Sequence, residues 1–571
     1  MHGTDTGGRL DPAQRATDLR RMATETLDLL VVGGGVTGAG VALDGATRGL
    51  AVGLVEQRDY SAGTSSRSSK LFHGGLRYLE QLDFRLVAEA LHERNLMLEH
   101  LCPHLARPVR FLYPLTRRVW ERAYVGAGIA LYDVLAAVGD SPLPRHRHLS
   151  KRAALRLVPS LRSDAITGAI TYSDAQVDDA RHTMAVVRTA RHHGAAVASS
   201  AQVVALLRDG ERVVGARVRD IETGEELDVR ARQVVNATGV WTDRIEDLAG
   251  AEGMRVRASK GVHLVVPGDR IDAGCGLICR TPTSVLFVIP WGDRWIVGTT
   301  DTDWGLDLAH PAASAADLDY LLGQANRWLD PPLTHADIVG VYAGLRPLLS
   351  GESDSTSALT REHAVSAAVP GLVSVAGGKY TTYRVMAADA VDAAVQAAAI
   401  DAPASCTERI PLVGASGFEA MWNRRASLAD DSGLPVRRVE HLLRRYGTDT
   451  PLLLDQIADD PALGGCVPGS DDHLAVEVRF AATHEGALHL DDVLTRRTRL
   501  SIETPDRGVG AAPVAAAILA DALGWDEATV AREVDSYAKR VEAERESQQA
   551  VDDHTADARR LGAQDVRAGL D

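Results

Sequence analysis

No stretch of this sequence reaches the roughly 18 uninterrupted apolar residues that a spanning helix needs, so the chain is expected not to cross a bilayer, though it can lie on one. Cysteine is scarce. Cys102, Cys275, Cys279, Cys406 and Cys466 are an odd, scattered five in 571 residues, which argues against a disulfide framework and suits a reducing compartment. Cys275 and Cys279 are spaced like half of a metal site, but no second pair follows, and no metal is expected. Basic residues are outnumbered, 62 Lys and Arg against 77 Asp and Glu, for a net charge of −15. That excludes a general nucleic-acid surface but leaves room for a local basic patch. Residues 1–26 lack the apolar core of a signal peptide and read as a flexible polar tail. No internal repeat is present. What remains is a globular composition, 45% hydrophobic and 24% charged, at a length that suggests three domains or two large ones.

Order begins at Leu27. The apolar run Leu27 to Val32 stops at three glycines and reads as a buried parallel strand. Val36 to Gly49 reads as a helix, and Leu50 to Val55 as a second strand ending at Glu56, which makes a βαβ unit. Similar apolar runs return at Ala195 to Ser199, Gln233 to Ala237 and Leu372 to Ala376, so the first domain is discontinuous. Val262 to Val266, Ser284 to Ile289 and Trp295 to Thr299 are bounded by Gly, Pro and Asp and predict a second, antiparallel sheet. After Ile410 the pattern becomes helical, as in Val436 to Tyr446 and Ala515 to Leu523. The expected architecture is α/β. A cofactor domain spans 27–100, 185–250 and 365–400, and a substrate domain spans 101–184 and 251–364. A helical domain covers 410–545, and 546–571 is a fraying charged tail.

Gly33, Gly35 and Gly38 form G-x-G-x-x-G after a strand and at the start of a helix, the context the motif requires. Gly33 permits the turn, Gly35 lets backbone approach a pyrophosphate, and Gly38 lets helix and strand pack closely. Glu56, 18 residues after Gly38, can accept hydrogen bonds from a ribose and repels a 2′-phosphate. Two further glycine turns close strands, at Ala237-Thr238-Gly239 and at Gly377-Gly378-Lys379. FAD is long and must be held at several points, so three such turns suit FAD better than a nicotinamide cofactor.

The run Thr64 to Glu80 resembles the aerobic, FAD-dependent glycerol-3-phosphate dehydrogenase family. So do Tyr172-Ser173-Asp174 with Val177 to Arg181, Lys260-Gly261-Val262-His263, and Phe287 to Trp291. Gly298-Thr299-Thr300-Asp301, Gly344-Leu345-Arg346-Pro347 and Gly377 to Arg384 complete the resemblance, in order, over about 27–384. Val240, Val262 and Tyr380 depart from the family's usual residues without removing a charge, and the C-terminal region has no D-x-D-x-D-G calcium loop.

The resemblance implies oxidation of glycerol 3-phosphate at C2 to dihydroxyacetone phosphate, with electrons passed to a membrane quinone. It places Arg77, Tyr78, Arg346, Arg361 and Lys379 at the substrate. Arginine forks suit a phosphate dianion. His263 is the expected proton acceptor, because an imidazole suits general-base work. Arg346 could serve there instead, and the bland reading of His263 is a core histidine. Lys379, before a helix start, is expected to stabilise the reduced flavin. The hydroxyl-rich loop with Thr64, Ser65, Ser66, Ser69 and Lys70, together with His73, Gly74, Gly75, Val203, Thr381 and Thr382, is expected to contact FAD. Alternatives are an oxidase using oxygen, an amine or amino-acid oxidase, and a non-catalytic flavin-binding protein. Arginines and aromatic residues alternate through 107–151, which predicts an interfacial helix on anionic lipid and a peripheral place on the inner face of the cytoplasmic membrane. His146 and His148 read as part of a solvated basic loop rather than a metal site. A homodimer is left open.

Overall fold

The computed structural model describes residues 8–75, 83–117, 119–137, 142–250, 253–281, 285–350 and 362–567. Arg77, Tyr78, Arg118 and Arg361 lie outside the described residues.

The chain opens with α1 (Pro12–Thr24), β1 (Leu27–Val32), α2 (Val36–Thr47) and β2 (Val52–Val55). β1 pairs in parallel with β2 on one side and with Glu226–Asn236 on the other, with Val31 opposite both Leu54 and Val235. Leu372–Gly377 and Ala196–Ala198 extend the same parallel sheet outward. The strands are near-continuous apolar runs because both faces are covered, one by α2 and the helix Asp179–His192, the other by α1 and the hairpin of Ala201–Asp209 with Arg212–Asp220. Residues far apart in sequence thus place three glycine turns at one end of the sheet, where strand ends and helix starts meet.

The segment 12–24 is a packed helix, which corrects the expected flexible tail. Asp11 caps it, accepting from Gln14 N at 2.8 Å, and Pro12 occupies its first turn. Leu19 and Met22 are buried against β1 and Ala196–Ala198, and Asp18 accepts from Val197 N. The far end of the chain is ordered too. Glu527–Ser547 and Asp553–Arg560 are helices, and both Arg560 and Arg567 are buried. The expected fraying tail is therefore corrected as far as residue 567.

Among the described residues the second sheet has ten strands. Towards one end Val256–Pro267 pairs antiparallel with Arg294–Gly298, Thr302–Trp304 and Gly340–Leu349. Leu71–Phe72 also joins this sheet, although 27–100 was assigned to the cofactor domain. The segment 107–151 is not one helix. Arg107–Leu115 and Arg147–Ser150 are strands of this sheet, and among the described residues between them the helix is Trp120–Ala137.

The helical domain is clamped to the rest by buried ion pairs. Asp59 takes Arg497 at 2.7 Å and also binds Arg496; Arg181 meets Glu485 at 2.6 Å. In its core His441, His473 and Glu477 bring ligand-type atoms within 4.8 Å of one another. Arg445 and Tyr446 also hold Glu477, so the cluster reads as an ion-pair network. Burial lowers His473, but Glu477 and Glu503 outweigh it and raise the imidazole to about 9. His489 is likewise raised to about 9, by Glu222 and Glu533 against burial and Arg567. Both titrate near 6.5 when unfolded, so their stabilisation is complete below about pH 6.5 and is lost as pH rises through about 9. The limit is on the order of 3 kcal/mol per group. The urea midpoint should fall between pH 7 and about 9.5. An unchanged midpoint across that range removes the imidazolium assignment.

Candidate active site

Two adjoining cavities run from the glycine turns into the second sheet. One, of about 460 Å³, is lined by Gly33, Gly35, Glu56, Val203, Ala237, Thr238 and Gly239 among others. The other, of about 790 Å³, reaches Gly75, His263, Arg346 and Lys379. Val36, Thr37, Thr64 and Ser65 line both, so a long ligand can run through from one end to the other.

The first cavity is shaped by close backbone contacts. Gly33 has φ +109, and a Cβ there would lie 2.7 Å from Ala237 O; a Cβ on Gly38 would lie 1.9 Å from Gly33 O. Only glycine allows strand and helix to approach this closely. No side chain caps α2 at Gly35, and Ser65 Oγ accepts from Val36 N at 2.9 Å. This start of a twelve-residue helix presents backbone N–H groups to an anion. Glu56 accepts from Gly34 N at 2.7 Å and Arg58 N at 2.8 Å, and burial raises its carboxyl above the usual range. It holds the loop as well as facing the cavity. The uncapped helix start, the glycine cradle and the carboxylate fit the pyrophosphate and ribose of a dinucleotide.

The second cavity is set by strand register. His263 lies opposite Gly298 on one neighbour and Tyr342 on the other, and Ser259 lies opposite Arg346. Gly298 makes room for the imidazole, since a Cβ there would sit 2.2 Å from His263 Cδ2. The ring stacks on Tyr342 with centroids 4.7 Å apart, and Nε2 meets Ser69 Oγ at 2.9 Å. Burial, then Arg346 and Lys70, push His263 well below its ordinary value, so it is neutral at pH 7. Arg346 lies over Gly261, where a Cβ would meet Nη2 at 2.6 Å. Its Nη2 donates to Thr299 Oγ1 and Thr300 O, both at 3.1 Å, and Nη1 lies 3.5 Å from Asp301 Oδ1. Lys379 precedes the turn Tyr380–Thr382, and Thr381 Oγ1 accepts from His73 N at 3.2 Å. His73, Gly75, Gly378 and Thr381 line this cavity.

Other expected contacts are placed differently. Ser66, Lys70, Gly74 and Thr382 line neither cavity. Lys70 is fully buried and pairs with Asp179 at 2.8 Å, which locks the loop rather than facing the cofactor space. Thr382 Oγ1 turns to Lys379 O, and Gly74 N donates to the Tyr132 hydroxyl. Conversely, Thr37, Thr299, Asp301 and Phe287 line the large cavity but were not singled out. The last three sit inside the quoted motifs, so the motif string carried a signal that charge alone does not.

Comparison with known proteins agrees with this geometry. A family model described as FAD dependent oxidoreductase matches residues 28–384, and one described as the C-terminal domain of alpha-glycerophosphate oxidase matches 405–530. The chain is 57% identical over 562 residues to glycerol-3-phosphate dehydrogenase 2 of Mycobacterium tuberculosis, covering 98% of this chain and 96% of that one. It is 37% identical to the mitochondrial glycerol-3-phosphate dehydrogenase of Homo sapiens, covering 91% of this chain and 74% of that one. Among solved structures it resembles the glycerol-3-phosphate dehydrogenase of Bacillus halodurans complexed with FAD. The TM-score is 0.77 at 27% identity, covering 95% of this chain and 98% of that one. A cavity of this shape, built from the stretch the family model matches, together with relatives this similar along nearly the whole chain, shows that the protein belongs to the FAD-dependent glycerol-3-phosphate dehydrogenase family.

Proposed function

We propose that this chain oxidises sn-glycerol 3-phosphate to dihydroxyacetone phosphate. The observation that carries the reading is the convergence of Arg346, His263 and Lys379 on one cavity that is continuous with a dinucleotide site. FAD, when bound, supplies the acceptor for the hydride from C2. Arg346 holds the phosphate dianion, and its position on a strand over Gly261 restricts where that phosphate can sit. His263, neutral and fixed at Nε2 by Ser69, orients the C2 hydroxyl and takes its proton. Lys379, which lines the same cavity, is the cation that would stabilise negative charge on the reduced flavin. Anaerobic addition of glycerol 3-phosphate should bleach the flavin, and acid precipitation should release the yellow chromophore. Failure to bleach sinks the substrate assignment, and colour retained by the pellet would show a covalent tether. Rapid peroxide formation on reoxidation would favour the oxidase reading over quinone.

The electron acceptor in this reading is a membrane quinone. Among the described residues no helix is long and apolar enough to cross a membrane. The helix Trp120–Ala137, however, exposes Trp120, Tyr124, Ala127, Leu131 and Val134 on one face, at the spacing of a single helical stripe. Trp120 is 63% exposed and stacks on Tyr124, and Val119 and Val134 are 79% and 61% exposed. Tyr124, Ala127 and Leu131 also line the large cavity, so the apolar face adjoins the active site. Arg117, Arg145, Arg147, Lys151 and Arg152 lie exposed nearby in sequence, whereas Arg122 donates to Leu149 O and holds a strand. The contact surface is therefore this apolar row with a basic border, lying in the headgroup layer of anionic lipid. Replacing Val119, Trp120 and Val134 with serine should weaken sedimentation with anionic vesicles by at least about tenfold. Activity towards a soluble dye should persist. Equal pelleting of variant and parent would move the attachment surface elsewhere.

A further inference from the structure

Two small adjoining cavities, of about 60 and 50 Å³, lie beneath the loop that carries Ser65 and Ser69. The first sheet's loop, the second sheet's segment at His310 and the last two long helices meet there. Both cavities are lined by Arg67, His310, Arg540 and Arg560.

The charges around them do not balance within the described residues. Arg540 is matched, pairing with Asp491 at 2.5 Å and Glu544 at 2.9 Å. Arg560 is 4% exposed, yet its Nε only approaches the same Glu544, at 3.8 Å, its Nη2 meets only the imidazole Nδ1 of His310, at 3.2 Å, and its Nη1 is buried with no hydrogen-bond partner. Arg67 reaches only a carbonyl, Ala309 O, at 3.4 Å. Burial and the repulsion of Arg540, Arg496 and Arg560 push the Arg67 guanidinium down to about 9, so it remains charged at pH 7. His310, crowded by burial and by four arginines, is held well below its ordinary value; it is neutral and lends no negative charge. Four carboxylates line these cavities, but Asp565 is taken by Arg58, Glu533 by His489, and Asp491 by Arg496 and Arg540, which leaves Glu544, already paired with Arg540, as the carboxylate nearest Arg560. Uncompensated buried charge is costly, and arginine forks are suited to the oxygens of tetrahedral anions.

We propose that this junction is a second anion site, which takes a small tetrahedral oxyanion of the phosphate type between Arg67, Arg540 and Arg560. Cavities of 50–60 Å³ admit such an ion but not a sugar phosphate or a nucleotide. The site is separate from the phosphate clamp at Arg346. It is also coupled to the active site, because Arg67 lines the large cavity as well. An anion there ties the Thr64 to Lys70 loop to the helices Glu527–Ser547 and Asp553–Arg560, so its occupancy steadies the loop against the cofactor.

The test is thermal unfolding of the holoenzyme, titrated with inorganic phosphate against sodium chloride at matched ionic strength. The parent should show a saturable rise of about 3 °C beyond the chloride control. The rise should persist in Arg346→Leu, which removes the active-site clamp, and disappear in Arg560→Gln. A rise that survives Arg560→Gln, a rise lost in Arg346→Leu, or no rise in the parent overturns the proposal. Should Arg560→Gln fail to give folded holoenzyme, crystals of the parent soaked in selenate decide. An anomalous peak between Arg67, Arg540 and Arg560 supports the site, and a peak only at Arg346, or none, overturns it.

Discussion

Arg346→Leu should lower kcat/KM for glycerol 3-phosphate by about tenfold to a hundredfold, while flavin absorbance stays normal. A charge-assisted contact to a dianion contributes roughly 1.5–3 kcal/mol, which sets that range. The preference over glycerol, which lacks the phosphate, should collapse with it. The position is rigid. Arg346 faces Ser259 across a ten-pair antiparallel ladder, and its guanidinium is fixed by Thr299 Oγ1 and Thr300 O. The side chain is therefore set at one height above Gly261, and a lysine there would lose the planar fork. Gly261→Ala should act in the same direction, since its Cβ would occupy space within 2.6 Å of Nη2. An unchanged ratio of activity on glycerol 3-phosphate to that on glycerol would put the clamp elsewhere, with Arg77 and Arg361 next in line.

Asp59→Leu should destabilise the protein by about 3–5 kcal/mol, because it strands the buried Arg497 and takes one carboxylate from the buried Arg496. Asp59 is 0% exposed and takes Arg497 through both oxygens, at 2.7 and 2.8 Å, as well as Arg496. The leucine leaves both guanidiniums without their common partner. Arg496 keeps Asp492 at 2.7 Å, whereas Arg497 keeps only the Glu485 carbonyl oxygen, at 2.8 Å. The effect should be felt at the cofactor. Asp59 follows Glu56 by three residues, and Ser61 N donates to Gly34 O at 3.0 Å. Faster proteolysis within 405–530, a lower urea midpoint and faster flavin loss should appear together. A midpoint equal to the parent's would mean that the C-terminal helices are held by their other ion pairs, such as Arg181 with Glu485 and Lys260 with Asp553.

Features that were legible in the sequence are those whose cause is local. Gly33 and Gly38 are glycines because backbone passes within a few ångström of backbone at a strand–helix turn, Gly35 faces Ser65 Oγ at 3.1 Å from where a Cβ would lie, and the spacing of all three is written in six consecutive residues. Buried parallel strands show as near-continuous apolar runs, because both faces are covered. Leu27–Val32, Gln233 to Asn236 and Leu372–Gly377 could be read in this way before their neighbours were known. The substrate and cofactor motifs were legible as a string, not from the chemistry of single residues.

Where a residue's role depends on a partner far along the chain, only the tertiary structure decided it. Pro12–Thr24 is polar, and few of its side chains are buried; it looks like a tail until Ala196–Ala198 presents the surface that Met22 and Leu19 cover. Lys70 resembles a cofactor ligand until Asp179, 109 positions away, takes its ammonium in a fully buried site. In 107–151 the mixture of arginine and aromatic residues reads as one amphipathic helix. Pairing with Gly168–Gln176 pulls the two ends into strands and buries Phe111 and Tyr113, which leaves one exposed row on Trp120–Ala137. Composition records which side chains are available, and local spacing records which turns the backbone can make. The charge that meets a buried charge, and the face left for solvent, are fixed by long-range contacts, because desolvation is costly enough to select the partner only once the chain has closed around it.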